Sequence, residues 1–105
     1  MKRQRLIEFR EVRHIPEYNF AGFPGEPALE DGVFYVVDDS PYVQYNCPCG
    51  CGEVVTLPTK KHQTGYDGWD FREENGKVTL SPSVLSSGFE CKSHYFIRNN
   101  ALQWC

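Results

Sequence analysis

Residues 42–57 read Tyr42-Val43-Gln44-Tyr45-Asn46, then Cys47-Pro48-Cys49-Gly50-Cys51-Gly52, then Glu53-Val54-Val55-Thr56-Leu57. Both flanks are short and rich in β-branched and aromatic residues, the composition of strands. The six residues between them carry turn chemistry, so the stretch is predicted as an antiparallel hairpin with three cysteines at its tip. On an extended chain, thiols at alternate positions would spread over about 13 Å, too far to share one ion. The tip must therefore curl. Gly50 and Gly52 permit this by admitting positive φ, and they leave room for backbone N–H groups to face the sulfurs.

A second group, Cys91-Lys92-Ser93-His94, places a thiol and an imidazole three residues apart at the entrance to an apolar segment. Thiolate and imidazole are the preferred ligands of zinc, which takes four of them in a tetrahedron at structural sites. The expected centre is a zinc knuckle formed by Cys91, His94 and two of Cys47, Cys49 and Cys51. An iron–sulfur cluster is the alternative, because Cys91 and His94 match half of a Rieske site; a second histidine near the CPCGCG group is missing. Cys105 is read as a free thiol. Five cysteines, an odd number, are too few for a disulfide scaffold of this length.

Outward from these groups the chain continues to read as strand. Residues 5–14 alternate apolar and charged positions imperfectly, and Val33 to Val37 is a compact β-branched and aromatic run. Between them, residues 15–32 hold Pro16, Gly22, Pro24, Gly25, Pro27 and Gly32, which forbids a long regular element and predicts a loop with at most a helical turn near Ala28 to Glu30. Asn75-Gly76 and Asn99-Asn100 each separate two strand-like segments and predict two-residue hairpin turns. Ser81 to Glu90 reads as a serine-rich connection. No segment has helical periodicity. The expectation is one mostly β domain over residues 1–105, a small antiparallel sheet of seven or eight short strands joined by hairpins.

The chain has 105 residues and a formal charge of −3, with 40% hydrophobic, 14% aromatic and 24% charged residues. That balance is globular and excludes a protein dominated by phosphate attraction. The longest apolar run is far short of the roughly 20 residues that span a bilayer. The charged N-terminal segment does not read as a secretion signal. A cytoplasmic location without membrane association is therefore expected. Lys2, Arg3, Arg5, Lys60 and Lys61, with aromatic platforms on the strands, are the basis for a nucleic-acid-binding alternative, and His62 beside the last two lysines reads as part of a solvated loop. His14 reads as an ordinary strand-end residue. The aromatics on predicted strands exceed what one small core requires, which leaves some for a partner-binding face.

Four stretches together resemble a bacterial and phage family of small proteins catalogued as a domain of unknown function: Cys47-Pro-Cys-Gly-Cys-Gly, Gly76-Lys-Val-Thr-Leu-Ser-Pro-Ser-Val84, Cys91-Lys-Ser-His-Tyr-Phe-Ile-Arg98 and Leu102-Gln-Trp104. The resemblance covers about residues 5–105. It implies a zinc-binding β domain, in a family sometimes encoded beside ubiquitin-like modifiers, their activating and conjugating enzymes and deubiquitinase-like peptidases, including in antiphage defence. It carries the metal motif to Cys47, Cys49, Cys51, Cys91 and His94, while Cys105 departs from the pattern.

The motifs for a nucleobase deaminase or a zinc protease are absent, and a metal-bound Cys91 would be a poor free nucleophile beside His94. The expected function is therefore a zinc-stabilised module that acts by protein–protein contact rather than as an enzyme. Its expected partner is a ubiquitin-like protein or a conjugating-enzyme component. The alternatives are a metal-dependent hydrolase and a nucleic-acid-binding zinc module.

Overall fold

The computed structural model describes residues 5–16, 29–38, 40–59, 68–85 and 91–105. Among them are eight strands and no helix: β1 (Glu11–Ile15), β2 (Val33–Val37), β3 (Tyr42–Asn46), β4 (Val54–Pro58), β5 (Asp70–Glu74), β6 (Lys77–Leu85), β7 (His94–Arg98) and β8 (Ala101–Trp104). They form two four-stranded sheets in sequence order, β1 to β4 and β5 to β8, where one sheet was expected.

Hairpins account for five of the six strand pairings within the sheets, and the predicted turns stand where expected. Asn75 and Gly76 have φ of 53° and 74°, and Asn99 and Asn100 of 49° and 68°, so each turn uses the left-handed region that its residues tolerate. One pairing departs from the antiparallel expectation. β1 runs parallel to β2, with Glu11 opposite Val33 and Ile15 opposite Val37. Parallel neighbours need a connection of about a dozen residues or more, and the breaker-rich segment between β1 and β2 is long enough. Most of that segment, with the residues predicted as a helical turn apart from Leu29 and Glu30, lies outside the described residues.

The strand read over residues 5–14 divides between the sheets. Ile7 and Phe9 bond to β8 and its turn, through Leu102 N–H to Ile7 C=O (2.9 Å) and Phe9 N–H to Asn100 C=O (2.8 Å). Residues 11–15 then join β2. The serine-rich connection is also corrected, since β6 continues through it to Leu85. Ser81, Pro82 and Ser83 gave no strand signal, but cross-strand pairing to β7 holds the segment extended.

The core lies between the sheets. Phe9, Phe34, Val36, Val43, Tyr45, Val55 and Leu57 meet Val78, Leu80, Val84, Tyr95, Ile97 and Leu102 in one buried cluster. The Tyr45 and Tyr95 hydroxyls, both buried, share a hydrogen bond of 2.8 Å across it. Desolvation pushes the Tyr45 phenol well above its ordinary pKa, so this pair is neutral. Leu29 packs on the opposite face of the first sheet against Val33 and Tyr35, which explains why β2 is buried throughout and shows no alternation.

Candidate active site

The hairpin tip curls as its composition predicts. Gly50 and Gly52 have φ of 85° and 91°, Gly50 N–H reaches Cys47 C=O at 3.0 Å, and Cys47 N–H reaches Glu53 C=O at 2.8 Å. The curl points three thiols at Cys91, which arrives from the start of β7 in the other sheet. Cys47 Sγ lies 3.5 Å from Cys49 Sγ and 3.7 Å from Cys91 Sγ, and Cys51 Sγ lies 3.7 Å from Cys91 Sγ. All four sulfurs fall within 4.8 Å of one another. A tetrahedral ion with metal–sulfur bonds of about 2.3 Å requires sulfur separations of about 3.8 Å, so this group can hold a metal ion.

Burial and mutual crowding act on the protonation of these thiols. Burial pushes the Cys47 and Cys51 thiols up. Burial acts in the same direction on Cys91, but hydrogen bonds from the Ser93 side chain and backbone and from neighbouring thiols outweigh it, lowering Cys91 to about 7. Four sulfurs this close cannot all carry charge without a cation among them.

His94 is not in this cluster. Its Nε2 lies 2.8 Å from Ser83 Oγ, on the neighbouring strand. The expectation that His94 completes the metal group with two of the three tip cysteines therefore differs from the geometry, in which all three join Cys91. The physical reason is strand alternation: Ser93 is buried toward the sulfurs and the next side chain points away from them. Cys105 is exposed and stands apart from the four thiols.

Ser83 owes its position to an irregularity in β6. Leu80 is opposite Ile97 and Val84 is opposite Tyr95, so four steps along β6 match two along β7. Such bulges re-aim side chains. The Trp69 indole N–H holds Ser83 C=O at 3.2 Å. Past the bulge, Leu85 pairs with His94, and Ser83, two residues earlier, shares that outward face. A hydroxyl within reach of an imidazole nitrogen is the arrangement of a nucleophile and its general base. Among the described residues no carboxylate bonds the other ring nitrogen. Sequence reasoning missed Ser83, although the signal was present: Pro82 inside a strand-length segment marks a bulge.

His14 is also more than a strand-end residue. Its Nδ1 contacts Asp38 Oδ1 at 2.7 Å and its Nε2 contacts Glu73 Oε2 at 2.9 Å, tying the first sheet to β5. Hydrogen bonds to Asp38 and then Glu73 raise its pKa. Arg5 stacks over the Trp104 ring at 4.5 Å, while Lys2, Arg3, Lys60, Lys61 and His62 lie outside the described residues.

The fold and site thus define a small two-sheet β protein with a four-thiol cluster on one side of β7 and a serine–histidine pair on the other. A family model described as "Bacterial ubiquitination-like system serine protease (BubE)" matches residues 22–105, and the chain belongs to that family. No curated protein and no solved structure matches the chain. The match supports the expected link to bacterial ubiquitin-like systems and overturns the expectation of a non-enzymatic module, because the family description names a serine protease. The sequence offered His94 a thiol, Cys91, as its nucleophile partner, and not the serine that the fold brings to it. No helix among the described residues is long and apolar enough to cross a membrane.

Proposed function

We propose that this chain is a serine peptidase of a bacterial ubiquitination-like system, with Ser83 as nucleophile and His94 Nε2 as general base. The observation that carries the reading is the 2.8 Å contact between them on a half-exposed face, in a family described as serine proteases. Ser83 Oγ attacks the scissile carbonyl carbon while its proton passes to His94 Nε2. The C–N bond then breaks as that proton moves to the leaving amine, and an ester to Ser83 remains. Water, deprotonated by the same nitrogen, hydrolyses the ester, and the serine regains its proton. Cys105 N–H, bonded to His94 C=O at 3.0 Å, steadies the backbone that carries the base. The substrate is a protein component of that system, either a ubiquitin-like protein or a target joined to one, and antiphage defence is the setting the sequence resemblance implies.

The four thiols are assigned to one zinc ion held by Cys47, Cys49, Cys51 and Cys91. When bound, it supplies charge neutralisation and a cross-link between the two sheets. Mutual sulfur distances within 4.8 Å suit a single ion better than an iron–sulfur cluster, whose irons and sulfides hold the cysteines of different irons further apart. Four thiolates fill a tetrahedron and leave no open position for water, so a metal-dependent hydrolase is not favoured.

The test is cleavage of a ubiquitin-like fusion together with labelling by a fluorophosphonate. The parent is expected to be labelled at Ser83 and to cleave, and Ser83→Ala to do neither while melting normally. Cleavage that survives Ser83→Ala overturns the assignment. Elemental analysis is expected to find one zinc per chain.

A further inference from the structure

The thiol cluster and the Ser83–His94 pair are joined by a very short piece of chain. Cys91 and Ser93 turn inward to the sulfurs, and His94 turns outward. Between them Lys92 adopts φ of 46°, a left-handed conformation that a residue with a side chain keeps only where its surroundings over-determine it. Ser93 follows it directly. It is buried, with 7% of its surface exposed. Its hydroxyl donates to Cys91 Sγ at 3.3 Å, a bond that a metal-bound thiolate still accepts, and it lies 3.8 Å from Cys47 Sγ. The next residue in the chain is the base.

We propose that Ser93 is a positioning residue: its hydroxyl, donating to the Cys91 sulfur, holds the left-handed Cys91–Ser93 turn and thereby sets the direction in which His94 enters β7 toward Ser83. Its catalytic consequence rests on the peptidase reading; its structural content does not. The left-handed turn stands between the sulfurs and β7, and a hydroxyl fixed at the Cys91 sulfur restrains its rotation. The ladder pair with Leu85 and the bond from Cys105 N–H then grip His94 from its other neighbours. A shift of about 1 Å in a reacting group is enough to slow a reaction by about 100-fold, so a loosened turn should be visible in catalysis.

The experiment uses the full chain with its bound metal and three variants, Ser93→Ala, Ser93→Thr and Ser83→Ala. Imidazole nitrogen NMR follows the His94 ring, assigned with His94→Gln. Ser93→Ala is expected to keep the parent metal content and a melting temperature within about 5 °C of the parent. Its His94 ring signal should broaden or move, Ser83 labelling should slow by about 10-fold or more, and kcat should fall while KM holds. Ser93→Thr should restore all three. An unmoved His94 signal in Ser93→Ala overturns the proposal. If Ser93→Ala does not fold, Ser83→Ala decides: a sharp, ordered His94 ring without the serine hydroxyl supports anchoring from the turn, whereas a disordered ring overturns it. Failure of the parent to be labelled at Ser83 refutes the peptidase reading alone, because the ring signal still reports the anchoring.

Discussion

The two sheets have the same strand number and share one core, but their outward faces differ. On the first sheet Leu29 closes over Val33 and Tyr35, and β2 is buried on both sides. On the second, the outward face carries Ser83, His94 and Leu85, the last with 54% of its surface exposed. The first sheet is covered on its outward face, whereas the second leaves the proposed serine–histidine pair half-exposed. The four-thiol cluster stands at the seam, taking three sulfurs from a hairpin of the first sheet and one from the entrance to β7 of the second. This teaches that a small domain can leave one sheet face open by concentrating its stabilising contacts between the sheets.

The comparison breaks most visibly at the seam. Structural zinc contributes about 10–16 kcal/mol in small peptides, comparable with a whole domain's stability of about 5–15 kcal/mol. Chelation or Cys91→Ser is therefore expected to unfold or greatly loosen the chain, as followed by circular dichroism melting beside metal analysis. Unchanged melting after proven metal loss would show that the sheets hold together without this link.

The open face should respond in the opposite way. Ser83→Ala, which removes the proposed nucleophile, is expected to lower the cleavage rate by about 1,000-fold or more and leave the melting curve in place, since Ser83 lies outside the core cluster. In the buried seam, Tyr95→Phe leaves the Tyr45 hydroxyl without its partner and should cost about 1–3 kcal/mol in denaturant melts, with the double Tyr45→Phe, Tyr95→Phe variant recovering part of that.

The smallest expected effect is the His14 tie between the sheets. Asp38 and Glu73 raise its pKa, so protonation is favoured in the folded chain. The resulting stabilisation is complete below the ordinary histidine value of about 6.5 and fades as pH rises through the raised one. Because the ring is half-exposed, the difference in melting temperature between the parent and His14→Gln should be slight at pH 6 and vanish in alkali. A gap that grows with pH contradicts the tie.

Much of the scaffold was legible because its signals are local. Asn75-Gly76 and Asn99-Asn100 announce turns through their tolerance of positive φ, and Gly50 and Gly52 announce the curl of the thiol tip. The parallel β1–β2 pairing was not legible, because two strands carry the same residues whichever way they align and only the long connection between them hints at a crossover. Ser83 was missed for a related reason. Its segment has poor strand propensity, and extended structure there depends on pairing with β7.

Residue chemistry alone determined that this is a β protein with thiols able to meet at a glycine-flanked turn, since turn formation and ligand type are properties of neighbouring residues. Tertiary structure alone decided which side chains meet. The turn at Lys92 leaves Cys91 with the sulfurs, β7 then carries His94 to a hydroxyl that a bulge in another strand has turned outward, and no spacing within a single stretch of chain encodes the relative direction of two strands.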